Sequence, residues 1–363
     1  KVAQTLLYLP HFISWVVMAG LIMNFLDPST GLITALLKSI TGKDLQVLTD
    51  KALFVPMLII SDIYKTMGWG TIIYLAAITS INPELYEAAK IDDTYLTGKI
   101  AYRGGHPFIE HFRFVQDLED EKCVAKLAIP APAQFFEQFA MPFNLEATRR
   151  YYKTDEELAN DIVVAYRAFI ADVYAAGCRN LQFDDCSWGM VVDPHAEQFF
   201  GVDAAGLERV KEELLNVNNR ALEGRPADLT VNTHVCRGNF HSTWLSSGGY
   251  APVAAKLFGE ENVDAYYLEF DDDRSGDFAP LAEVSGDKKV VLGLITSKKP
   301  DLEDPDTIKA RIQEAAQYIP LDRLCLSTQC GFASTQEGNK LTEDQQWAKI
   351  ALVQSIAKDV WGE

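Results

Sequence analysis

The stretch Leu229-Thr-Val-Asn-Thr-His-Val-Cys236 places two metal-binding side chains at the end of an apolar, β-branched run. Such a run is typical of a buried strand. Because side chains alternate between the two faces of a strand, His234 and Cys236 are expected to point the same way. Imidazole nitrogen and cysteine thiolate are both common zinc ligands. The stretch therefore predicts a strand that delivers two ligands to a metal site at its carboxyl end.

Further runs of this kind occur after Thr94, and helical patterns separate them. The six predicted strands are Cys123–Ile129, Asn180–Phe183, Leu229–His234, Ala265–Glu269, Lys289–Leu294 and Leu324–Thr328. The predicted helices are Asp155–Ala176, with Thr154 as N-cap and Gly177 just past its end, Gly206–Leu222 and Pro305–Tyr318. Regular alternation of strands and helices predicts a parallel sheet, either open or closed into a barrel.

Polar residues follow the carboxyl ends of the predicted strands. They are Asp184, Asp185, His234, Cys236, Glu269, Lys298 and Cys330. In a (β/α)8 barrel all these ends meet at one mouth, where active sites lie, whereas an open sheet spreads them along an edge. The pattern therefore favours an α/β fold of the (β/α)8 TIM-barrel type. Only six of eight strands are visible, so the first two are predicted to be missing.

Composition changes sharply near residue 93. Residues 1–93 hold 6 Lys and Arg against 8 Asp and Glu, whereas residues 94–363 hold 27 against 43. Val2–Leu26 contains no charged residue, which predicts a transmembrane helix, with a buried helix of a soluble protein as the alternative. The net charge of −18 argues against a nucleic-acid partner. We expect a hydrophobic all-α segment over 1–93 and a separate α/β domain over 94–363.

The first segment resembles the permease subunit of a carbohydrate-type ABC importer. The resemblance is carried by YLPHFISWVVMAGLI (8–22), MGWGTIIYLAAI (67–78) and INPELYEAAKIDD (81–93). In that family the Glu-Ala-Ala segment, here beginning at Glu87, lies on a cytoplasmic loop that docks on the ATPase. The resemblance stops at Asp93, and the helices that follow this loop in the family are absent. We interpret the chain as a chimera of two unrelated reading frames, with an evolved gene fusion as the alternative.

From about Leu96 onward the chain resembles the catalytic zinc domain of cobalamin-independent methionine synthase, especially its shorter stand-alone homologues. The most specific motifs are NTHVC (232–236), YYLEFDDDRSGDF (266–278) and LSTQCGFAS (326–334). The resemblance implies that homocysteine thiolate takes the exchangeable position on a Zn²⁺ ion, which favours the nucleophilic form of its sulfur. The implied zinc ligands are His234, Cys236, Glu269 and Cys330.

The same resemblance implies roles for other residues. Asp184 matches the aspartate that holds the amino group of homocysteine, while the role of Asp185 stays open between substrate binding and helix capping. Phe135 and Phe136 stand where the full-length family stacks a tryptophan on the pterin. Lys298 stands where the family has a histidine suited to protonating the departing nitrogen, so we predict it as the catalytic acid.

The predicted function is zinc-dependent methyl transfer in the cytoplasm, from 5-methyltetrahydrofolate, as its polyglutamate, to homocysteine, giving methionine. One alternative is a zinc thiol methyltransferase that uses a methylated corrinoid protein or another thiol. The other is a membrane permease component of an ABC sugar importer, and membrane association is expected only if residues 1–93 insert. The family's serine-containing turn and glutamate on the first two strands are missing, so we expect poor stability and impaired turnover.

Overall fold

The computed structural model describes residues 22–43, 47–50, 53, 95–120, 123–239, 241–333 and 338–362. The chain divides into two compact units, Lys1–Tyr86 and Glu87–Glu363. In the first unit, helix α1 spans Leu32–Thr41 and ends at Gly42 in the left-handed conformation. None of the helices in the described ranges is long and apolar enough to cross a membrane. Most of the predicted transmembrane helix, and the predicted boundary at 93/94, lie outside the described residues.

The second unit is built on a six-stranded sheet whose spatial order follows the chain. All five strand pairs are parallel, so the six carboxyl ends lie at the same edge of the sheet. The predicted fold class is confirmed as a parallel α/β layout of the TIM-barrel type with six strands. The strands are β1 Leu127–Pro130, β2 Asn180–Asp185, β3 Thr230–Val235, β4 Ala265–Glu269, β5 Lys289–Ile295 and β6 Leu324–Thr328.

Helices precede the sheet and connect its strands. They are α2 Pro107–Gln116, α3 Pro132–Ala140, α4 Pro142–Thr148, α5 Asp155–Ala175, α6 Ser187–Val191, α7 Ala196–Phe200, α8 Ala204–Leu222, α9 Ala254–Glu260, α10 Pro305–Ala315 and α11 Glu343–Trp361. Short 3₁₀ helices span Asp273–Ser275, Ala279–Glu283 and Leu321–Arg323. The predicted cap of α5 is confirmed, because the Thr154 hydroxyl accepts the Glu157 N–H at 3.2 Å.

Strand β1 begins later than the sequence predicts. Cys123 forms an isolated antiparallel bridge with Asp120 instead of joining the sheet, and Val124 is 71% exposed. An exposed valine can be part of a strand, so its side chain alone did not reveal this start. The predicted start at Cys123 is therefore wrong by four residues, and the parallel pairing begins at Leu127 with Leu181 as its partner.

The middle strands of the sheet, β3 to β5, are buried along most of their length. In β5 every residue after Lys289 is buried. Continuous burial of this kind is typical of parallel strands that are packed on both sides, and it makes the strand ends rigid points of attachment. The predicted functional residues lie at or just beyond these ends.

Candidate metal centre

The ends of β3, β4 and β6 bring the four predicted ligands together. His234 lies near the end of β3 and Cys236 follows it, Glu269 ends β4, and Cys330 follows β6. One ligand atom from each side chain lies within 4.8 Å of the others. Nitrogen, carboxylate oxygen and two sulfurs form a donor set that suits Zn²⁺. The geometry therefore fits the predicted metal, and zinc binding itself stays a prediction.

His234 presents a buried nitrogen to this cluster. Its Nδ1 lies 3.2 Å from the Tyr267 carbonyl oxygen and donates to it, which leaves Nε2 facing the cluster. Nε2 is 3.7 Å from Glu269 Oε1 and has no hydrogen-bond partner among the described residues. A histidine fixed through one nitrogen, with the other buried and unpaired, has the arrangement of a metal ligand.

The thiols of Cys236 and Cys330 are hydrogen-bonded to each other. Hydrogen bonds from Cys186 and Cys330 lower the pKa of Cys236 well below its usual range, although burial opposes them. The bond to Cys236, together with burial, raises the pKa of Cys330. Burial alone would lower the pKa of His234, but its neighbours, Cys236 first, raise it to about 9. The surroundings of Cys236 thus favour its thiolate, the form that binds metal ions.

Cys186 is a third thiol at this centre, and sequence analysis gave it no role. It follows β2, and the pairing of Asp185 with Val235 places it alongside Cys236. The bond to Cys236, with burial next in size, raises the pKa of Cys186. Its position directly after an acidic pair at a strand end was the available signal.

The Glu269 carboxylate is fully buried and held by four donors. Oε1 accepts the backbone N–H of Arg237 at 3.0 Å and Asn239 Nδ2 at 2.6 Å. Oε2 accepts Arg274 Nη2 at 2.6 Å and Gln329 Nε2 at 3.2 Å. Burial raises the pKa of Glu269, and the Cys236 thiolate adds to the rise. The donors fix both oxygens and hold this carboxylate beside the other ligands.

Two buried amides link the ligands to one another. Asn239 Nδ2 lies 3.7 Å from Cys236 Sγ, and Asn239 Oδ1 accepts Gln329 Nε2 at 2.9 Å. Gln329 Oε1 in turn accepts the N–H and the hydroxyl of Ser297 at 3.1 and 2.9 Å. Sequence analysis missed both amides. Their only local signal is that each lies within three residues of a predicted ligand cysteine.

Asp184 and Asp185 have different surroundings. Asp184 Oδ1 lies 3.9 Å from His234 Nε2, and burial, with the Cys236 thiolate adding to it, raises the pKa of Asp184 to about 6. Asp185 is fully buried, accepts the N–H and hydroxyl of Ser187, and accepts Asn218 Nδ2 at 2.9 Å. Both oxygens of Asp185 thus accept hydrogen bonds from the protein, whereas Asp184 lies beside the predicted ligands.

The remaining predicted residues lie in two other places. Phe135 and Phe136 are on helix α3, where Phe135 packs edge-on against Phe139 at 4.9 Å and Phe136 is buried. Lys298 is buried and pairs with Asp271, with 2.5 Å between Nζ and Oδ2. The structure therefore brings Asp184 to the ligand cluster, ties Lys298 into an ion pair, and packs both phenylalanines within the helical layer.

A TIM-barrel-type sheet with a quartet of metal-binding side chains at its carboxyl edge defines the class of this protein. The sequence model of the family described as "Cobalamin-independent synthase, Catalytic domain" matches residues 147–350. Bacillus subtilis YxjH, an uncharacterized protein, is 38% identical over 334 residues, which cover 90% of this chain and 86% of YxjH. Uncharacterized YxjG of the same organism is 42% identical over 268 residues, 73% of this chain and 69% of YxjG. The chain belongs to the cobalamin-independent methionine synthase catalytic-domain family.

Solved structures support the same assignment. A structure titled as the putative vitamin-B12 independent methionine synthase from Listeria monocytogenes is 36% identical, with a TM-score of 0.60 and 76% of each chain covered. A B12-independent methionine synthase from Shewanella, solved in complex with selenomethionine, matches at a TM-score of 0.54 over 74% of this chain and 70% of its own. At 19% identity the Shewanella protein supports the fold alone.

The first ninety residues match importer permeases, as predicted. YteP of Bacillus subtilis, a polygalacturonan/rhamnogalacturonan transport system permease protein, is 46% identical over 92 residues, 25% of this chain and 29% of YteP. Protein LplB is 42% identical over 89 residues, 24% of this chain and 28% of LplB. The chain thus spans less than a third of either relative. The resemblance to two protein classes in one chain is consistent with the predicted chimera.

Proposed function

We propose that residues 94–363 bind Zn²⁺ through His234, Cys236, Glu269 and Cys330 and transfer a methyl group to homocysteine, giving methionine. The observation that carries the proposal is the buried convergence of four ligand atoms within 4.8 Å, one of them the unpaired Nε2 of a fixed histidine. When bound, zinc would keep the substrate sulfur as a thiolate at neutral pH.

We propose further that Asp184 binds the substrate ammonium group. Its Oδ1 is a buried oxygen without a hydrogen-bond partner among the described residues, and it lies beside the ligand cluster. A carboxylate there offers charge and hydrogen bonding to an amine. Substrate sulfur and substrate nitrogen would thus be held by neighbouring groups.

For the methyl donor we propose 5-methyltetrahydrofolate. The sulfur–carbon bond forms as the carbon–nitrogen bond of the donor breaks, and the departing nitrogen takes up a proton. We assign the proton donor to Lys298, whose ammonium group is held at 2.5 Å by Asp271. The packing of Phe135 within helix α3 favours a second candidate, a methylated corrinoid protein, because this ring is engaged in edge-on contacts with Phe139 and Tyr166.

Metal content tests the first part of the proposal. The intact chain is expected to bind one zinc per chain, and Cys330→Ser is expected to lose it. Cys325→Ser, on β6 just before Cys330 but outside the ligand quartet, is the matched control and should keep its zinc. Unchanged zinc content in Cys330→Ser would contradict the proposed site.

Turnover tests the second part. The zinc-loaded intact chain is incubated with homocysteine and either 5-methyltetrahydrofolate, as mono- and triglutamate, or methylcobalamin as a corrinoid methyl donor. Methionine from the folate supports the leading proposal, and methionine from methylcobalamin alone supports the second candidate. A zinc-loaded protein that forms no methionine from either donor argues against the methyl-transfer proposal.

A further inference from the structure

The backbone of Glu269 is paired with β5 but not with β3. Register between β3 and β4 ends with Val235 opposite Leu268, and the Cys236 N–H that follows donates to the Asp185 carbonyl of β2 at 3.1 Å. On the other side, Glu269 is still opposite Gly293 of β5. The N–H and C=O of Glu269 therefore face the position that β3 has left. Buried backbone groups in such a place need other partners.

The hydroxyl of Tyr250 supplies both of these partners. It accepts the Glu269 N–H at 3.0 Å and donates to the Glu269 carbonyl oxygen at 3.2 Å. A hydroxyl can do this because it donates and accepts through one atom. Tyr250 thus takes the place of a strand neighbour at the residue that carries a predicted ligand.

Packing fixes the ring that carries this hydroxyl. Tyr250 is fully buried, and its ring centroid lies 5.2 Å from that of Phe270 and 5.9 Å from that of Phe258. The guanidinium carbon of Arg237 lies 4.5 Å from the Tyr250 centroid, within cation–π range. The backbone N–H of Arg237 also donates to Glu269 Oε1 at 3.0 Å. Tyr250 therefore holds the backbone of Glu269, and Arg237 holds its carboxylate.

We propose that Tyr250 is a positioning residue for the metal site: its hydroxyl fixes the end of β4 so that the Glu269 carboxylate faces the other three ligands. The proposal rests on the proposed zinc site. Groups that orient a metal ligand change metal affinity by about 10- to 100-fold when they are removed. We therefore expect Tyr250→Phe, which keeps the buried ring, to weaken zinc binding by about that factor.

Tyr266 offers a matched control. It is also fully buried, its ring lies 5.1 Å from that of Phe258, and its hydroxyl donates to the Leu257 carbonyl at 2.5 Å. It lies on β4 itself, and its hydroxyl bonds to α9 instead of to the backbone of Glu269. Tyr266→Phe removes a buried hydroxyl from the same aromatic cluster, so a loss caused by general destabilisation should occur in both variants.

The experiment measures three properties of the intact wild-type chain, Tyr250→Phe and Tyr266→Phe. Zinc affinity is obtained by competition with a chromogenic chelator, the ligand geometry from the visible spectrum of the cobalt-substituted protein, and the strand end from hydrogen exchange of a peptide covering residues 266–270. We expect Tyr250→Phe alone to lose affinity, to change the cobalt spectrum and to exchange the Glu269 amide faster.

Equal zinc affinity in Tyr250→Phe and wild type would overturn the proposal, as would equal losses in both variants. The measurement on wild type distinguishes a failure of the Tyr250 proposal from a failure of the proposed zinc site. If wild type binds no zinc, the proposed function fails, whereas hydrogen exchange still reports whether the hydroxyl holds the strand end.

Discussion

At the scale of single residues, the ligands were predictable and their partners were not. His234, Cys236 and Cys330 lie in short motifs whose residue types already indicate zinc. The amides of Asn239 and Gln329 became visible only in the structure, because a hydrogen bond between residues ninety positions apart depends on tertiary packing. The residues that flank one ligand in the sequence do not indicate which side chains the neighbouring strands place beside it.

Asn239 should matter to metal binding although it is not a ligand. Its Nδ2 donates to Glu269 Oε1 at 2.6 Å and lies 3.7 Å from Cys236 Sγ. Asn239→Asp replaces this donor with a negative charge facing a carboxylate and a thiolate. We expect zinc affinity to fall by about 10- to 100-fold, measured by chelator competition.

Asn144→Asp is the control for this prediction. Asn144 has the same 6% exposure, and its Nδ2 donates to the Gln138 carbonyl at 2.8 Å, on helices away from the ligands. Its substitution should lower the melting temperature without changing zinc affinity. Comparable loss of affinity in both variants would show that Asn239 acts only through stability.

At the scale of elements, helix α8 is joined to its neighbours by one buried side chain. Asn218 accepts the Ala133 N–H of α3 at 2.9 Å and donates to Asp185 Oδ2 of β2 at 2.9 Å and to Glu261 Oε1 at 2.8 Å. Burial, with the charge of Asp185 adding to it, raises the pKa of Glu261 to about 8. The contact between these elements therefore depends on pH.

The free energy of unfolding should fall as pH rises from the ordinary pKa of Glu261 to its pKa in the folded protein. Its ordinary pKa is 4.5 and its folded pKa is about 8, so in this interval the folded protein holds a proton that the unfolded chain has released. The stabilising contribution is complete below about 4.5 and is lost as pH rises through about 8. Each unit of pKa difference corresponds to about 1.4 kcal/mol of unfolding free energy.

Glu261→Gln tests this dependence, because glutamine keeps an acceptor for Asn218 and cannot ionise. Urea midpoints measured across the interval should decline less with pH in this variant than in wild type. Glu260→Gln, an exposed neighbour, is the control and should follow wild type. A Glu261→Gln curve parallel to that of wild type would contradict the prediction.

The sequence predicted the strands well because each is a short, largely apolar run, and β3 to β5 are also buried along most of their length. β4 and β6 match their predicted bounds, and β5 differs by one residue. Helix α10 ends at Ala315, three residues before its predicted end at Tyr318, where the chain turns with a Tyr318 N–H to Ala315 carbonyl bond of 3.0 Å. Helix ends depend on local turns that apolar spacing does not encode.

At the scale of the whole molecule, the six strands leave β1 and β6 at the two ends of the strand order. Fold class was predictable because alternating strands and helices is a local pattern. Closure of a barrel depends instead on which strands meet at the two ends of the sheet, and a local pattern does not record that meeting. The first segment differs in composition from the rest of the chain.

Exposed apolar side chains precede the β1 end of the sheet. Phe114 is 70% exposed, Leu118 67% and Val124 71%. Sheet ends and exposed apolar patches favour association with other chains. We expect the intact protein to self-associate, with an average mass by light scattering that increases with concentration.

Val124→Lys should reduce this association, because a lysine next to an end strand opposes pairing. Leu302→Lys is the control, since Leu302 is 55% exposed and lies beyond β5, in the interior of the strand order. Equal effects of the two substitutions would indicate that added charge, and not the β1 end, limits association.

The order of the ligands along the chain has a consequence for synthesis. Cys236 leaves the ribosome before Glu269 and well before Cys330, with β4, β5 and β6 made in between. At about 5–20 residues per second this interval lasts on the order of 5–20 s. During that time a new chain carries a histidine and a reactive thiol without the ligands that complete their site. In the proposed zinc site, metal loading would therefore be complete only after Cys330 has been made.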